Sequence, residues 1–511
     1  MAAAMGFGRA VSADPPPPTL ADPNRFAVYR EDVARTFFRL AETRRVDITI
    51  VGDSNVRNQV ISGHEDGFGR AYSERFGCYA TRLDTVAPLG SWAAVISGCS
   101  SGQASAIGTT TGPAEVLPLM FPNGWFCFGH VFMDPDRPPL SAGVNNFGLG
   151  IGPSHPIGID GAMRYHLTQW VPDPAIYPGV GEFNLTIREQ YPGSALHNYA
   201  AFPTTTTDGA ARGLRQLVFD VSAEARAPSG VLFCLTNLVT GAGARGPLCL
   251  LHHRVERPDR TTGVSYSPLL YQGGKDARFA LTTLRGLGPQ APSLRFWLEQ
   301  VTRLQHDDPV LLIQIMHGGN DAGDTLGSLG PIGGYSSNTS LGHQDNLQGI
   351  ITLLQEAWAG AGFEPKNLYF QLGPYHPLAD RRTIQEGFEA AITRLADANL
   401  NTFAVRGGML STPEEFIANS WNAAPTDPAH LSVTGYQTWG AGAVWAIQRA
   451  ICPADLDDDR QNTVADLFIF VSGWFNGPGG GDPQGKGDFN GDGLYTVEDL
   501  FDFLDAWFAG C

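Results

Sequence analysis

A chain of 511 residues, 43% hydrophobic and 17% charged, has material for two or three globular cores. Its formal charge of −17 argues against a nucleic-acid partner, since phosphate neutralisation needs clustered Lys and Arg, and no run of eighteen or more apolar residues is present to span a bilayer. Residues 1–23 are expected to be a signal-like or disordered segment: small apolar residues broken by Arg9, then Val11-Ser12-Ala13 ahead of the Pro15 to Pro18 run. With seven cysteines and no CxxC pair, the composition points to a secreted or cell-surface protein without a zinc or redox site.

From Arg30 to Arg44 the residues Val33, Phe37, Leu40 and Ala41 fall at helical spacing and predict a helix. It leads into Val46 to Val51, a β-branched run that reads as a buried parallel strand and ends in Gly52-Asp53-Ser54-Asn55. Residues 111–262 are rich in Gly, Pro, Thr and aromatic residues, with alternating runs at Ala162 to Thr168 and Gly181 to Glu189, and predict a β-rich insert. Cys234 and Cys249 lie in two apolar runs that read as paired strands. The body resumes with a strand at Val264 to Tyr271 reaching Gly273-Gly274, helical stretches at Lys275 to Leu284 and Pro292 to Gln305, and a strand from Pro309 to Met316. That strand runs into His317-Gly318-Gly319-Asn320-Asp321; a helix from Asn346 to Gly360 and a strand from Asn367 to Leu372 follow. Strands alternating with helices predict a parallel sheet covered on both faces, with ligands bound where the strands' carboxyl ends meet.

A serine becomes nucleophilic when an imidazole takes its proton and a carboxylate fixes that imidazole. Ser54 ends the first strand, and Asp427-Pro428-Ala429-His430 sets an acid three residues before a histidine late in the body. Asn320 can offer an amide to the developing oxyanion, as can backbone N–H groups of Ser54 and of a glycine turn. Together these residues resemble the SGNH (GDSL-like) hydrolase family: its first block is similar to Gly52-Asp53-Ser54-Asn55, its third to Gly318-Gly319-Asn320-Asp321, its fifth to Asp427-Pro428-Ala429-His430, followed by Leu431 to Trp439 as its closing helix. The resemblance implies a three-layer α/β/α flavodoxin-like fold split as 24–110 and 263–451 around the insert at 111–262, and a Ser54 nucleophile with His430 as base and Asp427 as orienter. It also implies an oxyanion hole of Ser54, Asn320 and a glycine. Gly98 and Gly274 both fit the second block; Gly274 is favoured because a helix-capable segment follows it. No cofactor is expected for catalysis.

Competing readings are a turn serine capping a helix at Ser54, a plain Asn-Asp turn at Asn320 and Asp321, and a rival nucleophile in Gly98-Cys99-Ser100-Ser101-Gly102, disfavoured because no helix pattern follows it. His317, His343 and His376 sit near strand ends and read as polar lining residues.

Residues 452–511 contain an internal repeat, Ala454 to Gly477 against Gly487 to Gly510, and their twelve acidic and two basic residues leave the segment at −10. Asp455, Asp457, Asp459, Gln461, Thr463 and Asp466, and again Asp488, Asn490, Asp492, Leu494, Thr496 and Asp499, fall at the ligand positions of a calcium loop, Gln461 and Leu494 through their carbonyls. Cys452 and Cys511 bracket the segment and would tie its ends if they meet. Duplicated loops with one helix after each resemble dockerin modules, which implies structural calcium and a cohesin-like or cell-surface partner. The substrate expected is an ester, by preference O-acetyl groups on a polysaccharide; the alternatives are a lipase or general esterase of the same family and a non-catalytic carbohydrate-binding or surface-assembly protein.

Overall fold

The structure, a computed structural model, describes residues 26–52, 67–82, 145–146, 157, 161–171, 183–190, 197–204, 213–221, 231–237, 249–271, 276–287, 292–305, 307–322, 339–375, 382–407, 418–421, 431–457, 461–477, 486–490 and 493–510. The chain opens with β1 (Phe26–Tyr29) and α1 (Glu31–Thr43). Val33, Ala34, Phe37, Phe38 and Ala41 give α1 a buried stripe, and Glu31 and Asp32 occupy the first turn, where carboxylates suit the helix dipole. Next come β2 (Arg45–Gly52), α2 (Phe68–Phe76) and β3 (Cys78–Arg82). The middle of the chain supplies β4 (Asn145–Asn146), β5 (Met163–Val171), β6 (Phe183–Gln190), β7 (His197–Thr204), β8 (Gly213–Val221), β9 (Val231–Asn237) and β10 (Cys249–Glu256). The body then alternates strand and helix through β11 (Gly263–Tyr271), α3 (Ala277–Leu287), α4 (Pro292–Thr302), β12 (Leu311–Met316), the single turn α5 (Gly319–Ala322), α6 (Ser340–Gly360), β13 (Leu368–Leu372), α7 (Arg382–Ala398), β14 (Thr402–Gly407) and α8 (Val433–Ile451).

One sheet of ten strands runs in the order β1-β14-β13-β12-β2-β11-β3-β10-β5-β8. The six central strands, β14 to β3, pair in parallel. Within them β11-β2-β12-β13-β14 is the doubly wound order 2-1-3-4-5, whose switch point lies between β2 and β12. Alternation along β12 divides the core: Leu311, Ile313 and Ile315 pack with α3, α4, α6 and α7, whereas Val310, Leu312 and Met316 pack with α1, α2 and α8.

The sheet departs from the expected all-parallel arrangement at its flanks. β1 is antiparallel to β14, and β10, β5 and β8 extend the far edge in antiparallel pairs. Antiparallel neighbours of this kind can be joined by short turns, whereas a parallel partner needs a longer crossover. The middle segment is divided between this sheet and a second one, β4-β9-β6-β7. Cys234 on β9 and Cys249 on β10 stand in different sheets, so their strands do not pair as expected. A buried ion pair fastens the extension: Arg254 on β10 donates to Asp47 on β2 at 2.8 Å and to Ser265 on β11, and Gln305 donates to the other Asp47 oxygen at 2.6 Å.

The C-terminal repeat folds as two equal helices, α9 (Val464–Asn476) and α10 (Val497–Ala509). Thr463 and Asp466 form a capping box at the first, Thr496 and Asp499 at the second. Phe470 and Phe503 stack at 4.4 Å, and the indoles exchange bonds, Trp474 Nε1 to the Thr496 carbonyl at 2.7 Å and Trp507 Nε1 to that of Thr463 at 3.2 Å. Cys452 is disulfide-bonded. No helix among the described residues is long and apolar enough to cross a membrane.

Candidate active site

Three neighbouring parallel strands end level with one another. Gly52 on β2 is paired with Tyr271 on β11 and with Met316 on β12. Each of these residues is followed at once by one of the polar motifs: Asp53-Ser54 after Gly52, Gln272-Gly273-Gly274 after Tyr271, and His317-Gly318-Gly319-Asn320 after Met316. Ser54, Gly274, Asp427 and His430 lie outside the described residues, as do the competing Gly98 and Ser100, and His376. Asn320 belongs to α5, the turn that leaves β12.

The described residues that flank Ser54, Asp427 and His430 in the chain are packed in the core. Gly67 touches α8 so closely that a Cβ on Gly440 would collide with it. Phe68 packs edge-on against Trp439 of α8 at 5.2 Å. Trp421 and Leu431, which flank Asp427 and His430 in the sequence, are both buried in the core cluster that contains Met316 and Phe68. The Ser432 hydroxyl donates to the Ser420 carbonyl at 2.7 Å and accepts from Gly435 N at 3.1 Å, capping α8.

Beside Asn320, Asp321 is wholly buried. Its carboxylate accepts the Ala277 N–H at the start of α3, at 3.1 and 3.2 Å to the two oxygens, and Oδ1 lies 2.9 Å from His343 Nδ1 on α6. His343 Nε2 is 2.8 Å from the Tyr375 hydroxyl, and its ring stacks on Phe388 at 4.1 Å. The Tyr375 ring in turn covers Gly318, where a Cβ would collide with it. Burial pushes the Asp321 carboxyl upward, but the His343 imidazole, its hydrogen bond, His317 and the Ala277 N–H outweigh burial and hold it below the ordinary carboxylate range. His317, buried and with no hydrogen-bond partner among the described residues on either ring nitrogen, is pushed by that burial down to about 4.

Sequence reading placed His343 merely as a lining residue and allowed Asp321 to be a turn former. Sequence separations of 22 and 32 residues divide the members of this network, and no local pattern links them.

In the C-terminal segment, oxygen atoms of Asp455, Asp457 and Asp466 lie within 4.8 Å of one another. Asp488 Oδ1 in the second loop is buried without a hydrogen-bond partner among the described residues, while Oδ2 accepts from Gly493 N at 2.9 Å. This donor set of hard oxygens fits a calcium ion. Asp466 and Asp499 also serve the loops themselves, accepting from Asp457 N at 3.1 Å and from Asn490 N at 3.2 Å. Asp459 and Asp492 lie outside the described residues; Gln461, Thr463, Leu494 and Thr496 lie within them.

No family model matches the chain, and no curated protein does. Among solved structures it is distantly similar to one described as a peptidoglycan O-acetylesterase in action, with a TM-score of 0.40 and 11% identity over 83% of this chain and 99% of that one. A Corynascus thermopiles (Myceliophthora fergusii) carbohydrate esterase family 2 enzyme with its carbohydrate binding domain matches with a TM-score of 0.24 and 13% identity over 63% of this chain and 98% of its own. A family two carbohydrate esterase from Cellvibrio japonicus matches with a TM-score of 0.24 and 10% identity over 57% and 86%.

Proposed function

We propose that the chain is a secreted serine ester hydrolase of the SGNH type, removing O-acetyl groups from a polysaccharide. The observation that carries this reading is the register Tyr271–Gly52–Met316, which starts the Ser54, Gly274 and Asn320 motifs from one level at the switch point of the sheet. That register also favours Gly274 over Gly98 as the second-block glycine. In the proposed reaction Ser54 Oγ attacks the acyl carbon while His430 takes its proton, with Asp427 holding the imidazole. The oxyanion is met by the N–H groups of Ser54 and Gly274 and by the Asn320 amide, each donor worth about 3–4 kcal/mol in known enzymes. His430 then protonates the departing sugar alkoxide, and water attacks the acetyl-Ser54 ester to complete the cycle.

The C-terminal segment serves this reading as a dockerin-like attachment module holding calcium. Supporting it are the clustered carboxylates, the buried unpartnered Asp488 oxygen and the exposed repeat-related pairs Phe468 and Phe501, Phe475 and Phe508, which offer apolar surface to a cohesin-like or cell-surface partner. The disulfide at Cys452 suits an oxidising compartment. The test is a pair of variants assayed on a small acetyl ester: Ser54→Ala loses essentially all turnover and Ser100→Ala keeps it. The reverse pattern makes the Gly98 to Gly102 elbow the nucleophile, and full activity in both ends the serine-hydrolase reading.

A further inference from the structure

We propose that Asp321 is a positioning residue that fixes the β12 turn carrying Asn320 against the start of α3 through one buried carboxylate. This rests on the assignment of Asn320 as an oxyanion donor. α3 follows β11 in the chain and α5 leaves β12, and nothing in the sheet's own hydrogen bonding fixes the separation of α3 and α5 beyond Tyr271 and Met316. Asp321, adjacent to Asn320, reaches across and accepts the Ala277 N–H with both oxygens, three residues beyond Gly274. A helix's first N–H groups have no partner within the helix, so this bond also satisfies a donor at the start of α3.

More than a cap is built here. A capping carboxylate is ordinarily near solvent, whereas Asp321 is fully buried and its remaining capacity is taken by His343, itself held by Tyr375 and pressed on Phe388. The Tyr375 ring closes the circuit on Gly318 at the other end of the β12 turn. The turn carrying Asn320 is thereby gripped on both sides, and the grip passes through groups on α3, α6 and the residue run after β13. An oxyanion donor acts only when it is aimed before charge develops, so displacement of about 1 Å is enough to cost on the order of a hundredfold in rate.

A double-mutant cycle on the full chain separates aiming from general support, with kcat and KM measured on a small acetyl ester and thermal unfolding recorded for each variant. Asp321→Asn is expected to lower kcat roughly ten- to a hundredfold with KM within about threefold. Asn320→Ala alone is expected to lower kcat on the order of a hundredfold or more. In the Asn320→Ala background, Asp321→Asn should cost no more than about fivefold further, since the donor it aims is gone. Equal losses from Asp321→Asn in both backgrounds, or a changed melting temperature with kcat intact, overturn the proposal while leaving the hydrolase reading standing. Unchanged kcat in Asn320→Ala overturns the donor assignment and this inference with it. Should Asp321→Asn fail to fold, Tyr375→Phe, which removes one hydroxyl from the circuit, decides the matter by the same cycle.

Discussion

The body and the C-terminal repeat both bury carboxylates at helix N-termini, yet they do so over very different spans of chain. Asp466 and Asp499 cap their own helices and bond amides nine or ten residues back, so each loop-helix unit closes on itself. Asp321 caps a helix that begins 44 residues earlier and is held by a histidine 22 residues later. Local closure gives a unit that can be copied, as the repeat was, the two copies then being joined by the Phe470–Phe503 stack and the exchanged indole bonds. Closure across α3, α5 and α6 makes a joint whose failure is felt wherever those elements meet.

That contrast can be broken by experiments on either side. The largest stability effect is expected from Phe470→Ala, which removes one of two stacked rings from a core of few buried side chains. Loss of about 3–5 kcal/mol should melt the repeat, seen in a separate unfolding transition, with hydrolysis of a small acetyl ester unchanged. A parallel fall in kcat would show that the repeat is not self-contained.

Next in size is an acid effect from the body. His317 titrates near 6.5 when unfolded and about 4 when folded, so between these values the unfolded chain binds the extra proton. Its contribution is complete above pH 6.5 and is lost as pH falls toward 4, by about 3 kcal/mol at 1.36 kcal/mol per unit. Urea unfolding at pH 7 and pH 4.5 should show a smaller acid loss in His317→Gln than in the unaltered chain; identical slopes would remove His317 from the account. Smallest is calcium: at a hundredfold excess over its Kd it should stabilise the repeat by about 2.7 kcal/mol, and chelation should reverse this without stopping hydrolysis. Loss of activity on chelation would tie the metal to the body.

What could be read from the sequence follows the same division by span. The β-branched run Val46 to Val51 became β2, the Val264 to Tyr271 run became β11, and the equal helices of the repeat sit where its pattern set them. Strand-end motifs were visible because each is contiguous. The pairing of β3 with β10 was not, since an antiparallel extension of a parallel sheet leaves no mark in either strand's pattern. Nor was the Asp321–His343–Tyr375 circuit, whose members stand far apart in the chain with no spacing that links them until the fold brings them together.

The central claim, that the strand ends at Gly52, Tyr271 and Met316 assemble a serine hydrolase around Ser54, is tested most directly by covalent capture. A fluorophosphonate that labels activated serines should modify the native chain once, and peptide mass spectrometry should place the adduct on Ser54. An adduct on Ser100, or none under conditions where the chain turns over an acetyl ester, would contradict it.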